Sequence, residues 1–264
     1  MKRKIVYYQS FSEDIVVNRW QDYELPDTYN WIPEQSAKAY HTALQFARFY
    51  CRKILHADVI CVENMRLPAG RGFFLYVNHT QPQADVCLPA WAVFEAFRRK
   101  KLPAARCYTV VGAANMGIPV IGKILPSLGA LPIPSKRKQL ADFTEAMRYR
   151  LSQGCGIVIF PEAHVWPYYT GIRPYADTSF SYPVACDCPA YCMTVTYQRR
   201  GRYTGKPKIT IYLDGPFEAD LSLHPKEARK VLCKQVRACM EHRSGQSNYA
   251  YWEYRCAKDA GQKK

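Results

Sequence analysis

The chain has 264 residues, of which 37 are Lys or Arg and 22 are Asp or Glu, so its formal net charge is +15. This charge points to an anionic partner: nucleic acid, an anionic membrane surface, a phosphorylated substrate or an acidic carrier protein. No window reaches the roughly 20 apolar residues that span a bilayer, so the sequence predicts no membrane span.

The eleven cysteines are scattered along the chain, and no signal-peptide pattern is found at the N-terminus. We therefore expect reduced thiols and a cytoplasmic location. The tightest group is Cys186, Cys188 and Cys192. No fourth Cys or His stands beside it at the spacing of a zinc site, so we expect no metal.

The predicted elements alternate between strands and helices, which is typical of a single α/β domain with a mostly parallel or mixed sheet covered by helices. Short apolar runs predict strands at 4–8, 58–63, 73–77, 106–111, 130–133, 156–160, 191–197 and 208–213. Apolar residues at intervals of three and four predict helices at 34–55, 83–98, 135–152 and 225–242. The chain is divided into an N-terminal extension that wraps the domain (1–33), the α/β domain (34–243) and a loose polar C-terminal tail (244–264).

Two segments have a second interpretation beside core packing. The helix at 34–55 has a basic side, so it could also contact anionic lipid headgroups. The segment 115–134 is apolar but broken by Gly and Pro, which predicts short helical turns and a strand. It could form ordinary core or an apolar surface for an acyl chain or a bilayer. The aromatic segment 166–188 is predicted to be a long loop.

The strand at 73–77 delivers a histidine and a carboxylate to the turn that follows it. His79 and Asp85 stand between this strand and the next helix, where open α/β sheets usually hold their sites. Histidine can accept a proton near neutral pH, and a nearby carboxylate can fix its tautomer and stabilise the imidazolium. Because no GxSxG pattern supplies a nucleophile, we expect the pair to activate a hydroxyl group of the substrate.

Three motifs occur in order between residues 57 and 197. They are Asn78-His79 followed by Asp85, the segment GALPI at 129–133, and Phe160-Pro161-Glu162 after a strand. This order resembles the motif blocks of the glycerolipid acyltransferases, the lysophosphatidate acyltransferase family. The resemblance implies the α/β fold of that family.

The resemblance also implies an activity in phospholipid biosynthesis. A fatty acyl group would pass from acyl-CoA or acyl-carrier protein to a hydroxyl of a glycerol phosphate or lysophospholipid acceptor. His79 would be the general base, Asp85 would orient it, and Glu162 would hold the glycerol part of the acceptor. The thioester supplies its own leaving group, so no metal or other cofactor is expected. Such an enzyme is expected at the inner face of the membrane as a peripheral cytoplasmic protein.

The chain departs from the family pattern in each motif. Five residues separate His79 from Asp85 where the family has four, so the turn must absorb one residue. Ala163 and Val165 stand where the family has Gly and Arg, and Ser135 stands where it has another Arg. Two phosphate-binding arginines are therefore missing from their expected places.

Three other cations are candidates to bind the acceptor phosphate: Arg173, Lys136 and Arg137. An Arg can hold a phosphate through two parallel hydrogen bonds. His164, beside Glu162, is interpreted as a packing or hydrogen-bonding residue in preference to a second base.

Other functions remain open from the sequence. The altered motifs and the positive charge also fit a catalytically inactive relative that binds phospholipid or nucleic acid without turnover. No helix-turn-helix, zinc-finger or RNA-binding aromatic motif is present, so no nucleic-acid partner is expected. A hydrolase, in which water replaces the acceptor, is a third alternative.

Overall fold

A computed structural model gives the structure of residues 3–26, 36–60, 65–68, 70–82, 84–201 and 203–257; for residues 203 and 204 only the backbone is described. In chain order the elements are β1 (Lys4–Tyr8), α1 (Ala37–Phe49), β2 (Asp58–Ile60), β3 (Phe73–Val77), α2 (Leu88–Arg99), β4 (Cys107–Val111), α3 (Ile121–Ile124), β5 (Ala130–Pro132), α4 (Leu140–Ser152), β6 (Gly156–Ile159), α5 (Ser181–Cys186), β7 (Ala190–Arg200), β8 (Tyr203–Phe217), α6 (Pro225–Ser244) and β9 (Trp252–Cys256). A π-helical turn, Tyr50–Ile54, continues α1.

Seven of these strands form one sheet in the order β2-β8-β7-β3-β6-β4-β5. The strands from β7 to β5 are parallel, whereas β8 is antiparallel to β7. The predicted α/β class with a mostly parallel sheet is therefore confirmed. Because the parallel strands share one direction, their C-terminal ends lie along one edge, which we call the carboxyl edge.

β3 is buried on both faces of the sheet, as its unbroken apolar run predicts. Successive side chains of a strand alternate: odd-numbered residues such as Phe73 join the core under α1 and α2, and even-numbered ones such as Tyr76 join the core under α4 and α6. Tyr76 pairs with Ile159 of β6. Residues that follow the two strands at equal distances therefore meet, which brings His79 beside Glu162.

β1 and β9 form a second, two-stranded parallel sheet from opposite ends of the chain. The strand predicted at 4–8 is confirmed. The prediction of a loose tail is wrong for Trp252–Cys256, because these residues pair with β1. The hydroxyl of Tyr254 also donates a hydrogen bond to the carbonyl oxygen of Pro167 at 2.8 Å.

Several predicted boundaries differ from the observed ones. α2 begins at Leu88, because residues 84–87 form turns. Three predicted boundaries lie outside the described residues: the start of α2 at 83, the start of the first helix at 34 and the end of the second strand at 63. α4 begins at Leu140 after a 3-10 turn. The predicted loop at 166–188 contains α5, and β7 and β8 extend well beyond the predicted strands.

The broken apolar segment forms short helical turns and β5, as predicted. All ten cysteines in the described part of the chain are free thiols, in line with the predicted reduced state. Within the same residues, no helix combines the length and the apolar character needed to cross a membrane.

Candidate active site

Asn78 fixes the turn that follows β3. Its side-chain amide donates a hydrogen bond to the carbonyl oxygen of Val195 at 3.0 Å, and its side-chain oxygen accepts one from the Val195 amide at 2.8 Å. These bonds continue the pairing of β3 with β7 beyond the last strand residue. The backbone at His79, the next residue, therefore has a fixed direction relative to the carboxyl edge.

His79 and Asp85 are in direct contact. Oδ2 of Asp85 lies 2.6 Å from Nδ1 of His79 and accepts a second hydrogen bond from the backbone amide of Gln81 at 2.9 Å. A tight turn absorbs the extra residue between them, because the amides of Ala84 and Asp85 both donate to the carbonyl oxygen of Gln81. A carboxylate on Nδ1 favours the tautomer with a lone pair on Nε2, which a general base requires.

Asp85 is buried, and an aromatic ring covers the imidazole of His79. Burial raises the pKa of Asp85, and the charge and hydrogen bond of His79 act against that shift. The ring of Phe160 stacks on the imidazole of His79 with 4.3 Å between ring centres. The side chain of His79 remains partly exposed, and no hydrogen-bond partner for its Nε2 lies among the described residues, so this nitrogen is available to a substrate.

Glu162 holds the backbone of His79. Its Oε2 accepts a hydrogen bond from the amide of His79 at 3.1 Å, and its Oε1 accepts one from the amide of Arg173 at 2.9 Å. The side chain is fully buried. Burial raises the pKa of Glu162, and the charge of Arg173 opposes that shift. With both oxygens engaged, Glu162 positions the turn that carries His79, and the contact with the acceptor expected from the sequence does not fit this geometry.

Arg173 is the buried cation that accompanies Glu162. Its guanidinium pairs with Oε2 of Glu162 at 3.1 Å and donates hydrogen bonds to the carbonyl oxygens of Phe11, at 3.2 Å, and of His164. Its guanidinium also lies over the ring of Trp166. The residue has no exposed surface, and burial lowers its pKa. A phosphate cannot reach this side chain, so the predicted phosphate contact of Arg173 is corrected to an internal ion pair.

Lys136 and Arg137 lie at the carboxyl edge, after the end of β5. Three strand spacings of about 4.8 Å each separate β5 from β3, so these two strands are about 14 Å apart. Lys136 and Arg137 therefore follow a strand that ends at the same edge of the sheet as β3.

The N-terminal segment packs directly on the loop that carries Glu162. Nδ1 of His164 lies 2.5 Å from Oδ1 of Asp14, and the indole N–H of Trp166 donates to the carbonyl oxygen of Glu13 at 2.9 Å. The amide of Trp166 in turn donates to the carbonyl oxygen of His79 at 3.0 Å. One loop thus binds both the turn that carries His79 and the N-terminal segment.

Trp166 is the buried centre of this arrangement. Tyr8 and Phe11 pack on its ring from the N-terminal segment, and Tyr254 of β9 stacks on it with 5.0 Å between ring centres. The interpretation of His164 as a hydrogen-bonding residue agrees with its contact to Asp14. The roles of Asp14 and Trp166 were not predictable from spacing, because 150 positions separate His164 from Asp14 and 153 separate Trp166 from Glu13. The aromatic run after Val165 is the local signal that the sequence offers.

One further group has donor atoms that could suit a metal. Single donor atoms of Cys192, Asp214 and Cys239 lie within 4.8 Å of one another, and within the described ranges no other such group is found. Both oxygens of Asp214 already accept hydrogen bonds from Arg243, at 2.6 and 2.9 Å. A cation would have to displace this guanidinium, so we assign no metal here.

The acyltransferase family model matches residues 59–196, which is more than half of the chain. The chain belongs to the acyltransferase family. This match confirms the family resemblance that was predicted from the order of the motifs. The matched region of this acyltransferase contains His79, Asp85 and Glu162, whereas Asp14 and β9 lie outside it.

The fold of this acyltransferase is similar to the crystal structure of the 1-acyl-sn-glycerophosphate (LPA) acyltransferase PlsC from Thermotoga maritima. The TM-score is 0.52 and the sequence identity 16%, over 80% of this chain and 84% of that chain. At this sequence identity, the similarity establishes a shared fold. It does not identify the substrates, which have to be inferred from the residues of the site. A search of curated protein sequences found no match.

Proposed function

We propose that this acyltransferase moves a fatty acyl group from the thioester of acyl-CoA or acyl-carrier protein to a hydroxyl of a glycerol-phosphate lipid precursor. The observation that carries the proposal is the 2.6 Å contact between His79 Nδ1 and Asp85 Oδ2, which leaves Nε2 for a substrate proton. This pair occurs at the first motif of a chain that belongs to the acyltransferase family.

In the proposed reaction, Nε2 of His79 removes the hydroxyl proton as the oxygen attacks the thioester carbonyl carbon. Asp85 stabilises the imidazolium that forms. The tetrahedral intermediate collapses with loss of the thiolate, which takes the proton from the imidazolium and leaves as a thiol. The products are an ester and free CoA or carrier thiol, so the reaction needs no cofactor and no covalent enzyme intermediate.

We assign the phosphate of the acceptor to Lys136 and Arg137. Arg173 is buried in an ion pair with Glu162, whereas these two cations stand at the carboxyl edge that also carries His79. Among the acceptors that fit are glycerol phosphate and lysophospholipid. An anionic membrane would supply such lipids, and we place the enzyme as a peripheral protein on the inner, cytoplasmic face.

The test is incubation of the purified protein with acyl-CoA or acyl-carrier protein against a panel of hydroxyl acceptors, followed by mass analysis of the lipids. One acceptor should gain an acyl chain, and His79→Ala should lower the rate by about 100-fold to 10,000-fold, the usual contribution of a general base. The matched control is His41→Ala, an exposed histidine on α1, which should retain full activity.

Three outcomes would contradict the proposal. Near-normal transfer by His79→Ala would remove the assigned base. Release of free fatty acid without an acceptor would identify a hydrolase. Lipid binding without turnover by the wild-type protein would identify an inactive relative.

A further inference from the structure

Four aliphatic side chains are strongly exposed on the connection between β4 and α4. They are Val120, Ile121, Ile124 and Ile133, with 69%, 54%, 48% and 45% of their surface accessible, and we call them the aliphatic rim. Single exposed aliphatic residues are common on proteins, but four within 14 positions form a concentration that needs an explanation.

The backbone at Val120, the most exposed residue of the rim, is strained. Val120 has φ +65° and ψ −54°, and the amide of Ile121 donates to the carbonyl oxygen of Pro119 at 2.7 Å. These values describe the rare γ-turn with positive φ, which is unfavourable for a β-branched residue. Strained backbone is frequent at functional sites, so this exposed valine is a second, independent sign that the rim has a use.

The stretch of sequence that contains the rim carries charges of one sign. Between residues 96 and 141 the sequence contains nine Lys or Arg residues and no Asp or Glu. Exposed cations include Lys123, between the isoleucines of α3, and Arg137, close to Ile133. Exposed aliphatic groups set among cations match a surface that offers acyl chains beneath anionic headgroups.

α1 repeats this combination beside the rim. The amide of Ser36, at its start, donates to the carbonyl oxygen of Ser127 at 3.2 Å. Phe46 and Phe49, nearer its end, are exposed by more than half, and no acidic residue occurs between positions 36 and 57. Cys51 follows α1 and lies next to Cys87, which precedes α2, so the end of α1 is near the carboxyl edge.

We propose that the aliphatic rim, together with Phe46 and Phe49, is the surface that docks this enzyme on an anionic lipid bilayer. The inference rests on the proposed function and names the part of the chain that brings the carboxyl edge to the lipid. An acidic carrier protein is the other occupant with suitable charge. It is disfavoured because protein interfaces of that kind rely on charged contacts, whereas the most exposed residues here are aliphatic.

The test is co-flotation of the full chain with vesicles of phosphatidylcholine, with and without phosphatidylglycerol. The wild-type protein should bind the anionic vesicles, and less so at high salt. The triple variant Val120→Gln/Ile121→Gln/Ile124→Gln should bind at least about tenfold more weakly, because three apolar side chains no longer enter the interface. Phe46→Gln/Phe49→Gln should weaken binding independently.

The matched control is Leu221→Gln/Leu223→Gln, two exposed leucines between β8 and α6, which should bind as the wild type does. Wild-type binding by both the triple variant and the Phe46→Gln/Phe49→Gln variant, or an equal loss of binding in the control, would overturn the proposal. Loss of carrier-protein binding with vesicle binding intact would assign the rim to the carrier. Vesicle binding does not require turnover. The docking surface can therefore be tested even if the acyl-transfer proposal fails. Circular dichroism shows that each variant is folded.

Discussion

Glu162 and His79 are joined through the backbone of the histidine: Oε2 of the glutamate accepts the His79 amide at 3.1 Å, inside a protein region that water does not reach. The imidazole is therefore held on both sides. Asp85 fixes the ring, and Glu162 fixes the peptide from which the ring extends.

Glu162→Gln should destabilise the protein by about 3–5 kcal/mol, because it leaves the buried guanidinium of Arg173 without its counter-ion. Urea denaturation measures this change, and Glu145→Gln, an exposed glutamate on α4, should shift the free energy of unfolding by no more than about 0.5 kcal/mol. A Glu162→Gln protein of normal stability with a raised KM for the acceptor would restore the acceptor-binding role predicted from the sequence.

Asp85→Asn should lower kcat by about 100-fold or more, while the KM for either substrate changes little. The amide cannot stabilise the imidazolium, and its NH₂ group can turn toward Nδ1 and favour the wrong tautomer. Steady-state kinetics at pH 7 test this, with Asp58→Asn, an exposed residue at the start of β2, as the control. A normal kcat would show that the 2.6 Å contact between His79 and Asp85 has no role in catalysis.

The same substitution gives a pH-dependent difference in stability. The pKa of Asp85 is raised by burial above its ordinary value of 3.8, so the native state binds its proton more tightly than the unfolded state does. The contribution of Asp85 is then most favourable below pH 3.8 and is lost as the pH rises through the raised pKa. The free energy of unfolding of the wild type, minus that of Asp85→Asn, should fall with increasing pH across that window. A difference that rises instead would mean that the pKa is lowered.

Asp14→Asn tests the contact between the N-terminal segment and the loop that carries Glu162 and His164. The Asp14 and His164 side chains are partly exposed, so we expect a stability change of no more than about 1 kcal/mol. We expect kcat to fall several-fold, because the loop that binds the His79 carbonyl loses one of its anchors. His164→Gln should show the same effect, and the double variant should be no worse than either single one. Asp22→Asn, exposed in the same segment, is the control; additive losses would show that the two residues act separately.

Tyr254→Phe tests the part played by β9. The hydroxyl of Tyr254 donates to the carbonyl oxygen of Pro167 at 2.8 Å, so its removal should lower the free energy of unfolding by about 0.5–1.5 kcal/mol. Tyr7→Phe removes a hydroxyl from an exposed tyrosine of β1 and should be neutral. Thermal unfolding followed by tryptophan fluorescence reports both, because Tyr254 stacks on the buried Trp166.

The parts of this structure that depend on local pattern were predictable from the sequence. The fully apolar run at 73–77 and the order of the motifs were sufficient for β3 and for the contact between His79 and Asp85, which are only six positions apart. The parallel sheet also follows from the alternation of strands and helices.

The burial of Arg173 could not be read from the sequence. An arginine in a polar and aromatic segment of a basic protein is usually exposed. Here its neutralising partner stands 11 residues away, and one of its carbonyl acceptors belongs to Phe11, 162 positions earlier in the chain. No periodicity links such distant positions, so only the folded structure reveals that this cation serves the protein interior.

The pairing of β1 with β9 affects when the site can be assembled. β1 is synthesised well before β9, so the small parallel sheet cannot form until residues 252–256 are available. Contacts between such distant segments form late in folding. Since Trp166 contacts both Tyr8 of β1 and Tyr254 of β9, the packing around the loop that holds His79 is complete only once β9 has been made. A growing chain that lacks β9 would carry His79 without this support.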